Sequence, residues 1–147
     1  AMHFLMKQML CQMEKQGEGS ILNVASSAGL LPAGPYMATY YATKSYVTSL
    51  TRAVALELKE KKSNVYVGAL CPGPVDTEFN KVANVEFAIP SITPTYCASY
   101  AIRKMEKRKI VIVPKNKMKV LAFISRVLPQ SLVIRMTARQ QKKKRSW

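Results

Sequence analysis

The sequence predicts an α/β fold built on a parallel sheet, and three observations carry that expectation. Short runs rich in branched apolar residues recur at Ser20–Ser26 (SILNVAS), Val65–Leu70 (VYVGAL) and Ile110–Val113. Longer stretches of helical periodicity alternate with them, the pattern that lays helices over a parallel sheet through right-handed crossovers. The runs are continuously apolar rather than alternating, as strands buried on both faces are.

The elements follow in order. Residues 1–16 read as a helix, with Phe4, Leu5, Met9 and Met13 at helical spacing, Met6, Met9 and Met13 as packing residues, and Gly17 and Gly19 as its stop. The chain begins inside this helix without a cap residue, so a segment upstream is expected. The first strand, Ser20–Ser26, runs into a loop, SAGLLPAGPYMAT. A long helix from about Tyr40 to Lys59 carries Val47, Leu50, Val54 and Leu58 on one stripe. The second strand, Val65–Leu70, leads into CPGPVDTEF and an irregular stretch to about Ile92. Thr93 and Pro94, as cap and first-turn proline, start a helix that continues to about Arg108. After the third strand, the chain from Lys115 reads as two amphipathic helices divided at Pro129.

Composition narrows the classes. A length of 147 residues with 48% apolar residues suits one domain with a moderate core and excludes a disordered chain. Cys11, Cys71 and Cys97 are odd in number and far apart, so neither a disulfide framework nor a zinc site is expected, and a reducing, cytoplasmic compartment is. His3 is the one histidine and has no ligand partners in sequence. Neither a signal peptide nor a membrane span is visible; Lys119, Arg126 and Arg135 interrupt the most apolar segment.

The net charge of +15 is unevenly placed. Residues 1–106 hold 10 Lys/Arg against 8 acids, whereas residues 107–147 hold 13 Lys/Arg and no acid. Such a run reads first as a solvated end. The second reading is an anionic membrane surface bound by 115–145, with Met118, Leu121, Ala122 and Phe123 as an apolar patch. Nucleic acid is not expected, because no aromatic residues interleave with the basic run.

Chemistry gathers at Tyr40 and Lys44. A separation of four residues sets their side chains one turn apart on one helix face. A tyrosine is a poor acid–base group at neutral pH, and an ammonium a few ångströms away favours the phenolate. Such a pair can give a proton to a developing alkoxide. Ser27 closes the first strand, 13 residues before Tyr40. Strand carboxyl ends in a parallel sheet are where ligands bind, and a serine hydroxyl there can polarise a carbonyl. The alternatives are local: Ser26 adjoins Ser27, and Tyr40 would otherwise simply pack against the loop. Tyr36 and Tyr41 lack a lysine four residues on and read as packing or shielding residues. Cys71 reads as a small buried residue, with no histidine base near it in sequence.

NVASSAG, YYATKSYV and ALCPGPVDTEF, in this order and spacing, resemble the second half of a classical short-chain dehydrogenase/reductase, in the branch of hydroxysteroid dehydrogenases and 3-oxoacyl reductases. The likeness covers residues 1 to about 114 and implies the C-terminal half of a doubly wound, Rossmann-type sheet, with 115–147 as a basic amphipathic tail. It further implies an oxidoreductase passing a hydride between NAD or NADP and a lipophilic carbonyl/alcohol substrate. Tyr40 would be the proton donor or acceptor. Lys44 would hold the nicotinamide ribose and favour the tyrosinate. Ser27, which the family pattern prefers to Ser26, would orient the carbonyl. Pro72, Gly73 and Val75 would line the nicotinamide, the Val75 amide facing its carboxamide, and Thr77 would contact the carboxamide or pyrophosphate. Phe79 to Ile92 would be a substrate lid. Helices 1–16 and 40–59 would form a homodimer.

The family's glycine-rich turn has no counterpart here: neither G-x-x-x-G-x-G nor G-x-G-x-x-G occurs. The helix asparagine of the family would fall at or before residue 1, and Asn23 is not that residue. NAD and NADP therefore stay undivided. A chain lacking those elements is expected not to turn over alone and to expose its first strand as an apolar edge. The competing readings are a non-catalytic remnant and a membrane-associated interaction protein using the basic tail.

Overall fold

The computed structural model describes residues 1–78 and 90–144. Three parallel strands, β1 (Gly19–Val24), β2 (Val65–Leu70) and β3 (Val111–Ile112), lie in the order β1-β2-β3. Gly19 pairs with Val65 at one end of the ladder and Val24 with Leu70 at the other, while Leu70 also pairs with Ile112. The central strand is buried along all six residues, as a strand covered on both faces must be.

Its alternation divides the core. Val65 and Val67 point to one face, where Met6, Leu10 and Met13 of α1 (Met2–Gln16) and Leu50, Val54 and Leu58 of α2 (Ala38–Glu60) pack. Leu70 and Ile112 point to the other face, against Cys97 and Ala101 of α3 (Pro94–Glu106). Towards the carboxyl end of the strands, Ala25, Ala69, Cys71 and Val113 enclose Met118 of α4 (Asn116–Val127). A last helix, α5 (Gln130–Lys144), follows Pro129.

Local chemistry explains the boundaries. Gly17 takes a left-handed conformation, φ 83°, and ends α1 as glycine does best. Thr93 Oγ1 accepts the Tyr96 amide at 3.2 Å, and Pro94 fills the first turn of α3. The fully buried Thr48 and Thr51 satisfy their hydroxyls on the carbonyls one turn back, Lys44 O at 2.9 Å and Val47 O at 2.7 Å. Asn23 Nδ2 donates to Thr51 Oγ1 at 2.9 Å, tying β1 to α2.

Four expectations need correction. β1 ends at Val24 rather than Ser26, because the Ser26 hydroxyl accepts the Ala28 amide and turns the chain into a 3-10 helix, Ser27–Leu30. Ser27 therefore opens that turn and does not close the strand. Met9 faces outward with Phe4 and Leu5, since the stripe Met2, Met6, Leu10 and Met13 takes the sheet side of α1. The basic C-terminal segment is not simply a solvated end: Val133, Thr137 and Gln141, four residues apart, are buried. Met118 is core, and Leu121 packs against the same cluster, so neither belongs to an outer patch.

Candidate active site

The site grows from the carboxyl ends of β1 and β2. Ladder pairing continues one residue past β1, Ala25 N donating to Leu70 O at 2.8 Å. Ser27 N then donates to Pro72 O at 2.8 Å, which pins the Ser27 turn to the Cys71–Gly73 turn after β2. Ser26 spends its hydroxyl as the cap of the 3-10 helix and is buried; Ser27 is half-buried at that helix's first position. The two serines, open alternatives in sequence, thus differ in what their hydroxyls do.

Gly29 brings this turn onto α2. A Cβ at Gly29 would run into the Lys44 carbonyl oxygen and come within 2.6 Å of Thr48 Oγ1, so only glycine permits the approach. Tyr40 and Lys44 sit in the first two turns of α2. Lys44 Nζ lies 5.8 Å from the Tyr40 ring centroid and donates to Val24 O at 3.2 Å. Both side chains are half-buried, so the ammonium sits between the end of β1 and the tyrosine without being sealed from solvent.

The loop that launches α2 is fixed from outside the motif region. Tyr41 is buried, its ring packing where Gly34 leaves room, and its hydroxyl accepts from Gln141 Nε2 of α5 at 2.8 Å. Burial pushes the Tyr41 phenol up, the Gln141 bond draws it partly back, and charge repulsion from the neighbouring Tyr40 phenolic group adds a smaller upward push. Tyr40 and Tyr41 meet edge to face at 6.3 Å and 72°. Tyr36 is exposed at φ 67°, with Lys142 Nζ 5.5 Å from its ring centroid. Burial also raises the Cys71 thiol, against the smaller opposing effect of its 3.7 Å contact with the Thr48 hydroxyl. A thiol held protonated is no nucleophile.

The turn after β2 is shaped by α4 and by the chain beyond residue 89. A Cβ on Gly73 would meet Met118 Sδ at 3.0 Å. Pro74 O accepts from Ile92 N at 3.0 Å and Asp76 N donates to Ile92 O at 2.9 Å, an isolated parallel bridge around Val75. Pro72, Gly73 and Val75 are half-buried on this turn. Thr77 is exposed beyond it, and no described contact ties it to Ser27, Tyr40 or Lys44. Of the expected lid, residues 79–89 lie outside the described residues. No cluster of His, Cys, Asp or Glu able to hold a metal occurs among the described residues.

Ser27, Tyr40, Lys44 and the 72–75 turn therefore share one end of the sheet. Gln141 and Met118 were not legible as supports: Gln141 is polar, and Met118 reads equally well as surface or core. Gly29, by contrast, had a signal in its position two residues after Ser27.

Comparisons with known proteins give the family and the fold. The family model described as short chain dehydrogenase matches residues 1–86. A D-beta-hydroxybutyrate dehydrogenase of Rhizobium meliloti is 46% identical over 65 residues, covering 44% of this chain and 24% of that protein. The dehydrogenase/reductase SDR family member 4 of Bos taurus is 35% identical over 103 residues, 70% of this chain and 35% of its own. A solved 7beta-hydroxysteroid dehydrogenase superposes with a TM-score of 0.72 at 21% identity, over 90% of this chain and 51% of its own. The chain thus spans between a quarter and about half of the proteins it matches.

Proposed function

Because the chain belongs to the short-chain dehydrogenase family, we propose that it carries the proton-handling half of an NAD(P)-dependent site that interconverts a carbonyl and an alcohol. The observation that carries the reading is the convergence of Ser27, Tyr40 and Lys44 at the carboxyl ends of β1 and β2, held there by the Ser27–Pro72 bond and the Gly29 approach. In this reading the Ser27 hydroxyl donates to the substrate oxygen, and Tyr40 passes its phenolic proton to that oxygen as it becomes an alkoxide. The Lys44 ammonium, held near the Tyr40 ring, stabilises the oxyanion left behind.

The residues fit the nicotinamide–ribose end of a dinucleotide. Lys44 presents a half-exposed ammonium, and the 72–75 turn is half-buried at the same end of the sheet. Bound there, NAD or NADP supplies or takes up the hydride. Pro72, Gly73 and Val75 would line the nicotinamide, with Thr77 reaching the carboxamide or pyrophosphate. The diphosphate end asks for a glycine-rich turn that these 147 residues do not contain, so we propose that residues beyond them hold it and that this chain alone does not turn over. The likeness to a D-beta-hydroxybutyrate dehydrogenase favours a hydroxyl-bearing substrate.

Two finer statements have observations in their favour. Phe4, Leu5 and Met9 on α1 and Tyr46 and Leu56 on α2 are exposed, apolar material for the proposed homodimer through helices 1–16 and 40–59. Three free cysteines suit a cytoplasmic setting, and no described helix is long and apolar enough to cross a membrane.

The test is Tyr40→Phe in a protein that joins this chain to its diphosphate-binding half. Carbonyl reduction should fall about 10²–10⁴-fold while the cofactor Kd, read by NAD(P)H fluorescence, stays within about twofold. Lys44→Ala should damage both. A Tyr40→Phe enzyme keeping more than about a tenth of the parent kcat would overturn the assignment.

A further inference from the structure

We propose that the outer face of α4 is a docking surface for an anionic lipid bilayer. Four residues of that helix, Val120, Phe123, Ile124 and Val127, are 57%, 69%, 43% and 72% exposed. Their spacing of three and four places them on one stripe, about 100° wide at 3.6 residues per turn. The stripe lies opposite the inward face, where Met118 and Ser125 are buried and Leu121 joins the core cluster. Inner and outer faces of α4 are thus both apolar, and only the inner one is covered among the described residues.

Charge selects the occupant. Lys117 lies on one flank of the stripe and Arg126 on the other, both exposed, while Lys119, on the flank of Arg126, spends its ammonium on the Tyr100 hydroxyl at 3.1 Å and on Asn116 Oδ1 at 3.1 Å. Long basic side chains on the rims of an apolar helix face can reach upward to headgroups while the stripe enters the acyl boundary. No acid occurs from residue 107 to the end of the chain, against 13 Lys/Arg. A second copy of this chain is disfavoured on the same face: a two-fold interface sets a patch against itself and would appose these cations without a counter-charge. An anionic bilayer offers the apolar layer and the negative charge together.

This surface does not depend on the catalytic reading, because it uses none of the residues assigned there. The experiment takes the 147-residue chain and vesicles of phosphatidylcholine with or without one-third phosphatidylglycerol. Co-sedimentation should be at least tenfold stronger with phosphatidylglycerol and should weaken as salt is raised. Replacing Lys117 and Arg126 by Gln should lower affinity about thirtyfold, at the usual contribution per surface cation. A triple change of Val120, Phe123 and Val127 to Ser, at positions exposed enough to leave the circular dichroism unchanged, should also abolish binding. Phe123→Trp in a Trp147→Phe background should shift its emission to the blue on vesicles alone. Binding that survives the serine variant would be purely electrostatic and would overturn the proposal. So would emission already blue in buffer and unmoved by vesicles, since another part of the chain would then cover the stripe. Sedimentation that shows self-association lost in the serine variant, with no lipid binding, would overturn it too.

Discussion

The unit from Gly19 to Glu60 and the two C-terminal helices meet around one site but are built on opposite patterns. In the first, β1, the Ser27 turn and α2 are short-range neighbours tied by Lys44 Nζ on the Val24 carbonyl, by Asn23 on Thr51 and by a glycine that lets two turns touch. In the second, α4 and α5 reach the site from far along the chain, through single side chains: Met118 under Gly73, and Gln141 onto Tyr41 across 100 residues of sequence. The first region sets the chemistry-bearing side chains. The second sets how firmly the elements beneath them are held. The difference teaches that a basic, weakly apolar segment can act as structural support when its few inward residues land on the turns of the site.

The sharpest way to break the comparison is to empty the place that α4 fills. Met118→Ala removes a buried side chain from among Ala25, Ala69, Cys71 and Val113. Large-to-small changes of this kind cost about 2–5 kcal/mol. Urea unfolding followed by circular dichroism reads it. A loss below about 1 kcal/mol would mean that α4 rests on the sheet loosely and that its support is nominal.

The same contrast accounts for what could be read in advance. β2 was legible to the residue, because VYVGAL is apolar throughout and glycine, proline or asparagine chemistry bounds such runs. Thr93-Pro94 announced α3 through its cap. The companionship of Ser27, Tyr40 and Lys44 was readable from spacing and from resemblance. The true end of β1 was not, since either serine could have served and only the hydrogen bond from Ala28 shows that Ser26 caps the turn. The inner face of α1 is not legible in sequence, because two apolar stripes compete on one helix and hydropathy does not say which meets the sheet. The docking of α5 was invisible for another reason: its buried line is Val133, Thr137 and Gln141, two of them polar. Burial of polar residues is affordable only with partners, Thr137 on the Val133 carbonyl and Gln141 on Tyr41, and partners distant in sequence leave no periodic trace.

A smaller effect sharpens the role of α5. Gln141→Leu leaves the buried Tyr41 hydroxyl without its donor, an expected cost of about 1–3 kcal/mol. Adding Tyr41→Phe should recover part of that loss, since two apolar partners no longer leave a polar atom stranded. The coupling from the double-mutant cycle reads the link between the last helix and the launch of α2 directly. Additive losses would mean that the two side chains are neighbours without a working bond.

The smallest effect is read by pH and separates the turn after β2 from the place where α5 docks. Burial raises the Tyr41 phenol above its ordinary 10.0, the Gln141 bond opposing it, and raises the Cys71 thiol above its ordinary 9.0. Both are acids held neutral in the fold. The unfolded chain therefore ionises first as pH climbs, so their stabilisation is whole below the ordinary values and is lost on passing from these to the raised ones. The loss from Cys71, in the turn after β2, should begin near pH 9, joined by Cys97, whose thiol burial also raises. The loss from Tyr41, where α5 docks, should begin near pH 10, alongside Tyr66, likewise raised by burial with Arg108 opposing. Each group can add at most about 1.4 kcal/mol per pH unit to the slope. Urea midpoints at steps from pH 8 to 11 give the curve. Tyr41→Phe should flatten only the part above pH 10 and leave the fall between 9 and 10 in place. If its curve runs parallel to the parent above pH 10, the phenol is not sealed by α5, and the C-terminal helices cover the site less closely than Gln141 indicates.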